Sequence, residues 1–178
     1  MAKELVLIVD DEVGMRQYLE KLLGDNGFDV HGVSDGLKAL AWLNLRVPSL
    51  VLADLKMPKM DGLELLEKIK KMPQCAGTPV VIMTAYGTVE SAIEAMKLGA
   101  EDYVRKPFDM DEILLIISRA LDKRRLEQEN IVLEFLRDFE MAREKRGLVF
   151  ETAGSVNQGT RITSMRLAMA AIQRFGRY

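Results

Sequence analysis

Leu5-Val6-Leu7-Ile8-Val9-Asp10-Asp11-Glu12 is a run of five apolar residues that stops on three acids. It is short, continuous and rich in β-branched side chains, which suits a strand covered on both faces by helices. Working outward, related runs recur at Phe28-Asp29-Val30-His31-Gly32-Val33, Ser49-Leu50-Val51-Leu52-Ala53, Pro79-Val80-Val81-Ile82-Met83 and Asp102-Tyr103-Val104. Between them, leucines and alanines fall at i, i+3 and i+4, as in Leu19-Leu22-Leu23, Leu37-Leu40-Ala41, Leu63-Leu66-Ile69 and Ala92-Ala95-Met96, the spacing of a helix with one apolar face. Gly24, Gly27, Pro48, Pro73, Gly77 and Gly99 punctuate the pattern. Asp61-Gly62-Leu63-Glu64 and Asp109-Met110-Asp111-Glu112 each read as a capping box that opens a helix. Five strands alternating with five helices predict a doubly wound, five-stranded parallel α/β domain.

The composition sets the outer bounds. The chain has 178 residues, 48% apolar and 29% charged, with a net charge of −2, the balance of one globular domain plus an appendage. This excludes collagen-like and wholly disordered chains, and no run approaches the ~20 apolar residues of a membrane span. The opening residues carry no signal-peptide cleavage pattern. A single cysteine, Cys75, and a single histidine, His31, leave no internal disulfide and no zinc cluster. A Cys–His or Ser–His catalytic pair would need His31 to serve alone, and it stands mid-strand, where a structural role is expected. The near-neutral balance argues against nucleic-acid binding by the whole chain. A cytoplasmic protein with no membrane partner is expected.

In a parallel α/β sheet, ligands bind at the carboxyl ends of the strands. Those ends carry Asp10 and Asp11 after the first strand, Asp54 after the third, Thr84 after the fourth and Lys106 after the fifth. A single strand-end Asp is usually a cap or a turn; a set converging on one edge is harder to explain that way. Three carboxylates brought together repel by roughly 4 kcal/mol per pair at about 4 Å and an effective dielectric of about 20. One lysine offsets only part of this, and a hard divalent cation, Mg²⁺ above all, is the natural remedy. The same acids disfavour a nucleotide fold, whose first loop presents backbone N–H groups to phosphate. Neither GxGxxG nor GxxxxGK occurs in the chain.

Val9-Asp10-Asp11-Glu12, Asp54 within Ala53-Asp54-Leu55-Lys56-Met57-Pro58-Lys59-Met60-Asp61-Gly62, Met83-Thr84-Ala85 and Lys106-Pro107-Phe108 resemble the receiver domain of two-component response regulators. The likeness covers residues ~4 to 122. Thr84-Ala85-Tyr86-Gly87 and Lys97-Leu98-Gly99-Ala100 are most similar to the receivers of AAA+ enhancer-binding transcriptional activators. The resemblance implies a flavodoxin-like sheet of strand order 2-1-3-4-5 with a C-terminal helical extension. It implies that Asp54 takes a phosphoryl group from a sensor histidine kinase. Mg²⁺ would be held by Asp11, Asp54 and the Lys56 backbone carbonyl, with Asp10 acting mostly through water. Lys106 and the Thr84 hydroxyl would hold phosphoryl oxygens, and the Lys106-Pro107 bond would be cis. Thr84 and Tyr103 would form the switch, Tyr103 turning inward as Thr84 moves and reshaping the face of the fourth helix, fifth strand and fifth helix. Lys56 and Tyr86 would border the path of hydrolytic water and slow loss of the phosphoryl group. Such a domain is no enzyme in the ordinary sense, since it catalyses only its own phosphorylation and dephosphorylation.

The rest of the chain is read as two segments beyond a receiver at 1–122. Residues 123–146 continue the fifth helix; a helix over 109–146 would run about 57 Å at ~1.5 Å per residue. Ile131, Phe135, Leu136 and Phe139 form an apolar stripe on it, covered either within this chain or by a second copy in a homodimer. Residues 147–178 read as a loop followed by a short basic amphipathic helix of unknown role, with Arg161, Arg166, Arg174 and Arg177 and no acid after Glu151. Such a helix docks on its own protein, a partner, a membrane or nucleic acid; direct DNA binding by the receiver itself is not expected. The segment is too short for a AAA+ module, so a natural receiver with a helical tail and a truncated regulator both remain open. Two other classes compete. A phosphatase of the haloacid-dehalogenase type would need an acid two after its nucleophile, where Lys56 stands. A scaffold that binds partners without phosphorylation usually lacks one of the acids or the lysine.

Overall fold

A computed structural model describes residues 3–85 and 87–144, with side chains through 137. Tyr86, the Phe139 side chain and the loop and basic helix expected at 147–178 lie outside the described residues. The elements are β1 (Leu5–Val9), α1 (Val13–Asp25), β2 (Asp29–Val33), α2 (Gly36–Leu43), β3 (Leu50–Asp54), α3 (Gly62–Lys71), β4 (Val80–Thr84), α4 (Val89–Lys97), β5 (Asp102–Arg105) and α5 (Met110–Glu144). The strands form one sheet in the order β2-β1-β3-β4-β5, and every pairing is parallel.

Each central strand is buried on both faces, which is why its sequence runs apolar without alternation. In β1, Leu7 and Val9 pack into one core layer and Val6 and Ile8 into the other. Val51 and Ala53 of β3, with Val80 and Ile82 of β4, join the first layer. Leu50, Leu52, Val81 and Met83 join the second. Ala39 and Leu43 of α2, Leu65, Leu66 and Ile69 of α3, and Ala95 of α4 close the first layer. Leu19, Leu22 and Leu23 of α1 and Ile113, Ile117 and Ala120 of α5 close the second. Burial of such side chains contributes about 1.5–3 kcal/mol each. The edge strand β2 differs: Asp29 and His31 are exposed while Val33 is buried, and the His31 ring stacks on Trp42 at 5.1 Å.

Helix starts follow side-chain chemistry. The Asp61 carboxylate accepts the Glu64 N–H at 2.8 Å and opens α3. Asp35 does the same for α2 through the Lys38 N–H at 2.9 Å. Thr88 and Ser91 form a complete reciprocal box at the start of α4, which the sequence patterns above had not singled out. The chain falls into two units, Met1–Arg124 and Arg125–Tyr178, and α5 runs from the first into the second. In the first unit, Arg124 on α5 donates through Nη1 to the carbonyls of Pro48, at 2.9 Å, and Ser49, just ahead of β3.

Candidate functional site

Because β1, β3, β4 and β5 lie side by side, their carboxyl ends share one edge. Asp10 follows β1, Asp54 ends β3, Thr84 ends β4 and Lys106 follows β5. Lys106 Nζ lies 2.7 Å from Asp10 Oδ2 and 2.6 Å from Asp54 Oδ1. The second oxygens are also engaged: Glu12 N–H donates to Asp10 Oδ1 and Lys56 N–H to Asp54 Oδ2, both at 2.9 Å. Asp10 is fully buried and Asp54 is 7% exposed. Thr84 is buried beside them in sequence register with Arg105 of β5, and its carbonyl accepts the Lys106 N–H at 2.7 Å. Asp11 and the Lys56 side chain are exposed. The Lys106-Pro107 peptide is cis.

One ammonium between two buried carboxylates leaves the cluster net negative. Burial raises the pKa of Asp54 and outweighs the lowering by the hydrogen bond and charge of Lys106, while Asp10 adds to the rise. For Lys106, burial works downward, but the hydrogen bonds and charges of Asp10 and Asp54 together leave the pKa raised. The edge therefore attracts a further cation. Its donors are hard oxygens, the set that suits Mg²⁺, an ion held by one or two carboxylates with waters and phosphate oxygens rather than by an all-protein cage. Among the described residues no three His, Cys, Asp or Glu side chains form a group that could hold a metal ion, so of the three carboxylates expected at this edge the Lys106 bridge joins two, Asp10 and Asp54.

The two expected switch residues are joined through a loop. The Tyr103 side chain on β5 is half-buried, and its Oη is hydrogen-bonded to Ser91 Oγ on α4 at 2.7 Å. A Cβ at Gly87 would lie 2.9 Å from Tyr103 Oη and 3.0 Å from Thr84 Cγ2, so the bare backbone of Gly87 fills the space between them. Sequence reasoning named Gly87 only as the end of a motif and did not single out Ser91 or Arg16, whose Nη1 donates to the Asp10 carbonyl at 2.6 Å. A glycine three residues after Thr84 and a serine in a T-x-x-S capping pattern were the available signals. The stripe residues Ile131 and Leu136 are exposed on α5, and Phe135 is half-buried.

Comparison with known proteins places this arrangement. Residues 6–118 match the family described as the response regulator receiver domain. The regulatory protein AtoC of Escherichia coli (strain K12) is 43% identical over 124 residues, which cover 70% of this chain and 26% of AtoC. The chain thus spans about a quarter of the length of that relative. The solved structure of Vibrio cholerae CheY4 crystallized at low pH superposes with a TM-score of 0.65 and 30% identity, over 67% of this chain and 99% of CheY4. NtrX from Brucella abortus superposes with a TM-score of 0.69 and 32% identity, over 98% of this chain and 34% of NtrX.

Proposed function

This chain belongs to the response regulator receiver family, its receiver of the kind found in NtrC-type activators, and on that footing we propose that Asp54 accepts a phosphoryl group from a sensor histidine kinase. The observation that carries the reading is the shared ion pair, in which Lys106 bridges Asp10 and Asp54 from three different strand ends at 2.7 and 2.6 Å. A carboxylate oxygen of Asp54 bonds to phosphorus as the phosphorus–nitrogen bond of the donor phosphohistidine breaks, and the electron pair stays on the imidazole nitrogen. Asp10, Asp11, Asp54 and the Lys56 backbone carbonyl would hold Mg²⁺, which when bound supplies charge neutralisation for the transferring group. Lys106 is already placed to pass from the Asp54 carboxylate to a phosphoryl oxygen, and the Thr84 hydroxyl takes a second.

Output follows from geometry around Gly87. The phosphoryl group draws Thr84, Tyr103 leaves Ser91 and turns into the space released, and the α4–β5–α5 face changes. The stripe of Ile131, Phe135, Leu136 and Phe139 then pairs two chains and carries the signal to transcription. The competing reading is a constitutive dimer or partner-binding scaffold that needs no phosphoryl group; the complete set of acids and lysine favours the switch. Intact-mass measurement after incubation with Mg²⁺ and acetyl phosphate tests this. The mass of one phosphoryl group should appear, and should be lost in Asp54→Asn and in the presence of a chelator. An unmodified wild-type chain under these conditions would return the protein to the scaffold class.

A further inference from the structure

We propose that Arg16 is a positioning residue for the phosphorylation site, holding the Asp10–Asp11 peptide so that both acids face the cation. The inference rests on the phosphoacceptor reading above. Every polar group of Asp10 has a partner. Its N–H donates to the Val33 carbonyl at 3.1 Å, Oδ1 accepts from Glu12 and Oδ2 from Lys106. Its carbonyl accepts from Arg16 Nη1 at 2.6 Å. That carbonyl belongs to the planar peptide linking Asp10 to Asp11, so fixing its direction also fixes how the chain enters Asp11. Asp11 is exposed and lies outside the Lys106 bridge, which makes the backbone ahead of it the available means of aiming it.

A second observation shows that the fold makes room for this reach. Gly32 sits inside β2, and a Cβ there would lie 2.9 and 3.0 Å from Arg16 Cγ and Cδ and would collide with Glu20 Oε1. A glycine inside a strand gives up packing and order, and marks a close approach by another group. Here the approaching groups are the stem of Arg16 and the carboxylate of Glu20, one turn apart on α1.

The test is calorimetric titration of Mg²⁺ into the full chain, alongside thermal unfolding. Partners one step removed from a metal typically alter its affinity by 10–100-fold. Arg16→Ala should therefore raise the Mg²⁺ Kd about tenfold, Arg16→Lys should recover most of the affinity, and Gly32→Ala should weaken binding with the arginine still present. An unchanged Kd in a folded Arg16→Ala would overturn the proposal even if the melting temperature fell, because a purely structural arginine moves only stability. If Arg16→Ala does not fold, an unchanged Kd in Gly32→Ala overturns it equally. Wild-type binding that Asp54→Asn abolishes keeps the two readings separate; wild-type protein that takes up no Mg²⁺ would sink the phosphoacceptor reading and this proposal with it.

Discussion

Lys106 bridges two buried carboxylates, Asp10 and Asp54. Its own pKa is raised in the folded protein. That contribution to stability is complete below its unfolded pKa of about 10.4 and fades only as pH climbs through the raised value, so it is fully present at pH 7. Removing the ammonium leaves Asp10 and Asp54 buried side by side, and breaking a buried pair typically costs about 3–5 kcal/mol. Lys106→Ala should unfold that much earlier in urea at pH 7. Asp54 follows the same sense in a lower pH range. Its folded pKa is raised above the unfolded value, chiefly by burial, so it favours folding at acid pH and penalises it above that raised value. Asp54→Asn should accordingly melt at a higher temperature than wild type at pH 7, and the advantage should disappear as pH is lowered through about 4; a constant advantage at all pH would exclude this cause. Lys59, in the loop after β3, is the non-glycine residue with positive φ among those described, at 71°. That conformation costs a side chain about 1–2 kcal/mol, and Lys59→Gly should return about 1 kcal/mol in chemical denaturation if the loop keeps its shape.

At the scale of elements, α4 is the helix whose start touches the switch. Thr88 caps it through the Ser91 N–H at 3.2 Å while Ser91 returns a bond to the Thr88 N–H at 3.1 Å. Ser91 also holds Tyr103. Loss of an N-cap threonine costs about 1 kcal/mol, so Thr88→Ala should lower stability by about that amount and loosen Tyr103, visible as a shift of its ring resonances before any phosphodonor is added. The helix itself was legible in Ala92, Ala95 and Met96, whereas its cap was signalled only by the T-x-x-S pattern of Thr88 and Ser91, which has serine where the usual box has Glu or Gln. β1, β3 and β4 were legible because burial on both faces leaves no polar position to blur the run. β2 was weaker because an edge strand keeps one side wet, hence Asp29 and His31. The site was legible where residue type and strand end coincide, at Asp10, Asp54, Thr84 and Lys106. Arg16 and Gly87, six and three residues along the chain from Asp10 and Thr84, carry no residue type that marks a site; Gly32 and Ser91 were not legible because groups they meet, on α1 and β5, are brought to them by packing rather than by chain spacing. The reach of Arg124 to the carbonyls of Pro48 and Ser49 is hidden in sequence for the same reason.

For the whole molecule, the open term is what phosphorylation changes beyond the receiver. The described residues contain no helix long and apolar enough to cross a membrane, and the relative AtoC is matched over only 26% of its length, so the output carried by such proteins' remaining length is not assigned to this chain. What the chain does carry is a helix continuous from Met110 to Glu144, with Ile131 44% and Leu136 40% exposed on it. Two such stripes brought together bury apolar surface at about 25 cal/mol per Å², but association must first offset the lost freedom of two chains, an estimated 4–15 kcal/mol. On the proposed reading, a stripe this short would make only a marginal interface, open to control by phosphorylation. Light scattering on chromatographed protein should show a monomer that becomes a dimer with Mg²⁺ and beryllofluoride, an analogue of the phosphoryl group on an ionised Asp. The shift should be lost in Asp54→Ala, which cannot form the adduct. It should also be lost in Ile131→Arg with Leu136→Asp, in which the adduct still forms but the seam carries charge. A dimer in every condition would make the helix a constitutive junction and move the signal into conformation within the dimer, whereas a monomer throughout would assign the stripe to cover within one chain.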